Sequence, residues 1–165
     1  MVGVVLVGAH PGLRGSAERA ARAAEDDARA VELVDAGLPA FLAAWEQLPL
    51  FATQRALPEA VRSAQRAARL AHQARALAES LRVLGLGRMP PRWDALASAR
   101  ARVCLVVGAR DDRFLALATQ VAAETGAATC RVAGAGHNVA LEAPALLAEE
   151  IRARIASTRG GLDFG

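Results

Sequence analysis

Gly108-Ala109-Arg110-Asp111-Asp112-Arg113-Phe114 and, further on, Gly134-Ala135-Gly136-His137-Asn138 are the two stretches that decide the fold. Each comes directly after a short apolar run, Val103-Cys104-Leu105-Val106-Val107 and Thr129-Cys130-Arg131-Val132-Ala133. Runs of that length, closed by glycine, read as buried strands. A carboxylate and then a histidine therefore leave the ends of two successive strands. In an open parallel sheet that edge is where ligands and chemistry are found. An Asp that orients a His is two thirds of a nucleophilic triad in the chain order Ser, Asp, His. No Gly-x-Ser-x-Gly occurs anywhere in the 165 residues. Asp111 and Asp112 compete for the acid, and the one not used would serve as a loop or helix-capping residue. His137 has the plainer alternative of a structural histidine; the neighbouring Asp loop favours the catalytic reading.

Working outward, a sequence of this length suffices for one domain with a real core. Hydrophobic content of 53% against 22% charged residues predicts folding rather than disorder. No apolar run is long enough to span a bilayer, and Met1–Val7 lacks the basic flank of a signal peptide. The expected location is cytoplasmic, with no membrane partner. The pI is about 10.0, yet the formal charge is only +3, and all 20 basic residues are Arg. They alternate with Ala and acids in the manner of a solvated helix face; Glu25 and Arg29 have the favourable i, i+4 order. With no Tyr to stack on bases, no nucleic-acid partner is expected. Cys104 and Cys130 fall in the predicted strands and read as small buried hydrophobes, with no disulfide or metal site expected.

Residues 2–7 read as another buried strand, ended by Gly8. Ser16 is the expected N-cap of a helix over about 17–35, which stops at Gly37. A second helix over about 38–47 carries Leu38, Phe41, Leu42 and Trp45 on one face, and Pro49 breaks it. Pro58 suits the first turn of a third helix, with Val61, Ala64, Ala68 and Ala71 on one side. A fourth covers about 74–84, and Gly85–Pro91 reads as a linker. Strand 103–107, helix 113–125, strand 129–133 and helix 143–158 then give a βαβα pattern, ahead of a frayed tail at 159–165. The fold class is α/β: about three parallel strands with a helical insertion over about 14–88. No internal repeat is present.

This layout resembles the C-terminal part of an α/β-hydrolase fold with a helical cap. A closer resemblance rests on Gly8-Ala9-His10-Pro11-Gly12-Leu13, Glu18-Arg19-Ala20-Ala21-Arg22, and Phe41 through Phe51. The Asp111 loop with Phe114 and the His137 loop with Glu142 and Pro144 complete it. Together they resemble the 2-succinyl-6-hydroxy-2,4-cyclohexadiene-1-carboxylate synthase family of menaquinone biosynthesis. The two catalytic-type loops fit any α/β-hydrolase; the Trp45–Phe51 segment is the family-specific part. The resemblance implies a lyase that abstracts a proton and expels pyruvate, with no metal and no cofactor. It implies Asp111 and His137 as catalytic residues, and Arg22, Trp45 and Arg69 as binders of a small polycarboxylate substrate. Arginine suits this, since its fork grips carboxylates bidentately. Each has a plainer alternative: Arg22 stands four before Asp26, Trp45 lies on an apolar helix face, and Arg66 competes with Arg69. His10 reads as a loop-shaping residue and His72 as solvated.

The resemblance leaves the family's serine loop and oxyanion loop without counterparts here. The expectation is a partial domain over 1–165, inactive alone, with Met1 an internal start or a missing N-terminal half encoded separately. Strand 2–7 would then expose an edge that favours association. A generic esterase or thioesterase, and a non-catalytic remnant with Asp111 and His137 too far apart to bond, are the competing functions.

Overall fold

The computed structural model describes residues 3–160, the last four by their backbone alone. The chain divides into two compact units, one of residues 1–10 and 93–165, the other of residues 11–92.

The first unit is built on three parallel strands: β1 (Val4–Val7), β2 (Val103–Gly108) and β3 (Ala128–Val132). They lie in the order β1-β2-β3, with Val5 beside Cys104 and Val106 beside Cys130. β2 is buried at every position, because both of its faces are covered. Cys104 and Val106 point into a cluster with Val132, Ala135, Val139 and Leu147. Val103 and Leu105, one residue out of phase, join Trp93, Val121 and Ala127 on the other face. That is the period-two alternation of a strand between two helical layers. α5 (Trp93–Ala99) and a 3-10 turn (Arg100–Arg102) precede β2, and α6 (Asp112–Thr125) follows it. α7 (Val139–Glu142) and α8 (Pro144–Gly160) follow β3.

The expected strand over 2–7 is found at Val4–Val7, but it is not buried: Val4 is 45% and Val7 36% exposed. Its outer edge has no strand partner among the described residues. Val2 and residues 161–165 of the expected tail lie outside the described residues, while Arg159 and Gly160, expected in that tail, still belong to α8. The helix expected over 143–158 is found as α8; the short α7 before it was not expected, and Pro144 lacks the N–H that would continue α7 into α8. α5 was not anticipated; Trp93 anchors it at 7% exposure.

The second unit is helical: α1 (Ser16–Ala36), α2 (Leu38–Trp45), a 3-10 helix (Pro49–Ala56), α3 (Glu59–Leu70) and α4 (Ala74–Leu84). Ala30 and Leu33 of α1, Leu38 and Leu42 of α2, and Ala78 of α4 make its core. Ser16 does not cap α1. Gly15 is the N-cap, with no side-chain bond, and Ser16 is the first helical residue. Gly85–Pro91 is no slack linker either. A Cβ on Gly87 would come within 2.3 Å of the Ala23 backbone N, so this segment packs directly against α1. Arg88 adds an ion pair to Asp27 at 2.9 Å. The two ends of the unit meet where the Arg92 N–H donates to the Pro11 carbonyl at 2.6 Å.

Candidate functional site

In the first unit, the loops after all three strands converge. Gly108 ends β2 and crosses the His137 loop so closely that a Cβ there would fall 2.0 Å from the Gly136 carbonyl oxygen. Two backbone bonds lace the same loops: Ala109 N–H to the Val132 carbonyl at 2.9 Å, and Arg110 N–H to the Ala135 carbonyl at 2.8 Å. Gly8, after β1, lies 3.9 Å from the His137 ring, measured from its Cβ position.

Within this frame Asp111 Oδ2 meets His137 Nδ1 at 2.8 Å. Asp111 is 7% exposed, and its other oxygen, Oδ1, accepts from the Phe114 N–H at 3.1 Å. One carboxylate thus caps α6 and holds the imidazole. Asp112, expected to cap if Asp111 was used for His137, is instead the exposed first residue of α6. An ionised carboxylate only accepts, so Nδ1 carries the proton and Nε2 is the basic nitrogen. The Phe114 ring tilts against the imidazole, its centroid 4.6 Å away.

Glu142 fixes the histidine loop from the far side. Its Oε2 accepts from Gly136 N–H at 2.7 Å and its Oε1 from Asn138 N–H at 3.2 Å, so both neighbours of His137 are tied down. Asn138 caps α7 through the Leu141 N–H. Glu142 had no role of its own in the sequence reading. The available signal was an Asn cap followed four residues later by a carboxylate, a variant of the capping box.

Arg22, Trp45 and Arg69 belong to the helical unit. Arg22 gives its Nε–H to Asp26 Oδ1 at 3.0 Å. Trp45 stacks on Phe41 with centroids 5.7 Å apart and lies against Phe51 at 5.8 Å. Arg69 pairs with Glu46 at 3.0 Å and stands over the Phe51 ring at 5.5 Å. Arg66 shares Glu46, taking its other oxygen. Glu46 was missed as their common anchor. Arg66 and Arg69 line a cleft of about 360 Å³ within the helical unit, with Arg55, Arg62 and Glu59; Arg22 and Trp45 are not among its lining residues. His10 is half-buried and His72 exposed.

Cys104 is buried and Cys130 half-buried; both are free thiols. Burial first, then the hydrogen-bonded Glu150, pushes the Cys130 thiol up to about 11. Burial also raises Cys104. Among the described residues no cluster of His, Cys, Asp and Glu is placed to hold a metal, and no helix is long and apolar enough to cross a membrane.

No protein-family model matches the sequence. A curated 2-succinyl-6-hydroxy-2,4-cyclohexadiene-1-carboxylate synthase from Enterobacter sp. is 34% identical over 159 residues, covering 94% of this chain and 59% of the relative. Its counterpart from Salmonella newport is 34% identical over 146 residues, 88% of this chain and 55% of the relative. The structure of MenH from S. aureus superposes with a TM-score of 0.89 at 28% identity, covering 94% of this chain and 59% of that one. A carboxylesterase structure from Nitrososphaera gargenis, at TM-score 0.73 and 14% identity, shares the fold alone. The chain spans a little over half the length of these relatives. The fold is that of the α/β-hydrolases, of which three parallel strands with their helices are present.

Proposed function

We propose that this chain, a homologue of the C-terminal part of the 2-succinyl-6-hydroxy-2,4-cyclohexadiene-1-carboxylate synthases, supplies the acid–base pair and the carboxylate-binding arginines of a pyruvate-eliminating lyase. The observation that carries this is the 2.8 Å bond between Asp111 and His137, formed at the ends of successive strands. In this reading the chain is a partial α/β-hydrolase domain, with the helices over about 14–88 as its cap.

His137 Nε2 accepts the proton that leaves the cyclohexene ring, relayed through a serine hydroxyl that a preceding segment of the enzyme supplies. The electron pair of the broken C–H bond enters the ring π system. The C–O bond to the leaving group breaks with its electron pair going to the departing oxygen, the resulting enolate takes up a proton to become pyruvate, and the cyclohexadiene remains. Asp111 keeps the proton on Nδ1 and stabilises the imidazolium that forms, the role of the acid in a Ser-His-Asp triad. Arg22 and Arg69 bind substrate carboxylates, and Phe51 with Trp45 offers an apolar wall beside Arg69. No metal or organic cofactor takes part.

The test joins this chain to the N-terminal part of a MenH relative and follows pyruvate release. The joined protein turns over and the chain alone does not. Arg22→Ala and Arg69→Ala each lower kcat/KM by about tenfold or more, since a carboxylate left without its partner costs about 1–3 kcal/mol. Arg22→Lys recovers part of the loss, lacking the bidentate fork. Release by both Ala variants at the parental rate, together with hydrolysis of a neutral ester, points instead to a generic hydrolase.

A further inference from the structure

Asp26 is a charged group that the proposed reaction does not use, yet it is among the most buried side chains of the helical unit, at 1% exposure. It lies on α1, one turn after Arg22. Its Oδ1 accepts from Arg22 Nε at 3.0 Å and from Arg29 Nη1 at 3.2 Å. Its Oδ2 is buried and has no hydrogen-bond partner among the described residues. The chain makes room for that oxygen with Gly85, where a Cβ would come within 2.6 Å of Oδ2.

A buried carboxylate with one oxygen unpaired is a poor stabilising device, because burial costs the charge more than imperfect pairing returns. What it does well is fix a guanidinium. Arg22 has five N–H donors in a rigid plane. Asp26 engages it through Nε alone, and no hydrogen bond among the described residues occupies the two terminal nitrogens. Arg22 is itself 29% exposed at the side chain, so it is not sealed into the helical core as Asp26 is. A guanidinium held at Nε is turned end-on, its terminal pair presented as a fork for a carboxylate.

We propose that Asp26 is a positioning residue that holds Arg22 by Nε so that its terminal nitrogens receive a substrate carboxylate in bidentate fashion. This rests on the reading of Arg22 as a carboxylate binder, and it adds the group that orients it. Gly85 is part of the same device, since it admits Asp26 to its buried place. Arg29 is the second cation on Oδ1 and partly neutralises Asp26 while it holds Arg22.

The test uses the chain as it stands, with succinate as the probe and ¹⁵N NMR of the arginine side chains as readout. Arg22→Ala identifies the Arg22 signals. In the parent the Arg22 Nε–H resonance is protected from exchange, and succinate shifts the Arg22 terminal nitrogens. Asp26→Asn keeps the shape and one amide oxygen but loses the charge, so the Nε–H protection weakens and succinate binding falls about tenfold, the scale of a charge-assisted hydrogen bond. Adding Asp26→Asn to Arg22→Ala weakens it no further. Arg29→Ala leaves the Arg22 response in place. Undiminished succinate binding in Asp26→Asn, or losses that multiply in the double variant, overturn the proposal, as does a parent Arg22 that ignores succinate. If Asp26→Asn does not fold, Arg22→Lys decides: it keeps the charge without an Nε–H, and parental succinate affinity in that variant overturns the clamp. Pyruvate release by the joined protein is read separately. Its absence beside an Asp26-dependent succinate response removes the lyase and leaves the clamp standing.

Discussion

Asp111 shares one carboxylate between a helix cap and an imidazole, and these two duties separate by substitution. Asp111→Asn retains an oxygen for the Phe114 N–H, so the chain keeps most of its stability. It replaces an obligatory acceptor by an amide, which permits the wrong histidine tautomer, and pyruvate release by the joined protein falls by on the order of a thousandfold or more. Asp111→Ala loses the cap as well, about 1 kcal/mol, visible as a lower urea midpoint that Asp111→Asn does not show. Equal midpoints for the two variants would remove the capping role. The pair was legible in the sequence because both residues leave apolar runs through glycine loops. What was not legible was the double use of Asp111, which made the search for a separate cap at Asp112 unnecessary. Glu142 was hidden for a related reason: it works through the backbone of the residues flanking His137, and such contacts leave no trace in residue type.

At the scale of elements, close backbone approach sets the arrangement within each unit. Gly108→Ala puts a methyl onto the Gly136 carbonyl, and Gly87→Ala puts one onto the α1 backbone at Ala23. Neither obstacle is a flexible side-chain end, so each variant loses about 3 kcal/mol or more of stability, at the upper end of overpacking costs. Gly134→Ala meets nothing within 4 Å; its φ of +74 alone makes it costly, and by less, about 1 kcal/mol. Chemical unfolding of the three variants ranks them. The helix over Ala74–Leu84 was read at its observed bounds, whereas the buried side of α3 was not. Of the side expected to be buried, Val61 is half-buried but Ala64, Ala68 and Ala71 are exposed, while Gln65, Arg66 and Arg69 are half-buried. A stripe of alanines carries little apolar area, so it cannot dictate which side of a helix turns inward. Here the Glu46 anchor does, and a contact between α2 and α3 has no periodic signature. β1 was read correctly as a strand and wrongly as buried, because a Val run is the same whether or not its outer edge is covered.

The molecule as a whole has an unusual titration. It contains neither Lys nor Tyr, so its 20 cations are all guanidinium groups. Carboxylates and imidazoles ordinarily titrate below about pH 9, and guanidinium groups above about pH 11. The thiols of Cys104 and Cys130 are then the side chains left to change charge. In the folded chain both are raised above the ordinary value of 9.0, Cys130 to about 11, chiefly by burial. The unfolded chain therefore gives up these protons first as pH rises, and binds fewer protons than the native state throughout the window. Stability falls with pH wherever that holds. The contribution of the neutral thiols is complete below pH 9 and is lost as the medium passes through 9 toward 11. For Cys130 the loss is on the order of 1 kcal/mol once its partial exposure to solvent is discounted. Urea midpoints of the reduced chain, measured from pH 8 to 11, should hold steady and then decline. Cys130→Ala removes the larger part of the decline and Cys104→Ala much of the remainder, whatever either does to the midpoint at pH 8. The doubly substituted chain should be flat across the window, since no other side chain is left to titrate. A decline that survives in that variant would mean that arginine–carboxylate pairs such as Arg88–Asp27, rather than the strand thiols, respond to the alkaline medium.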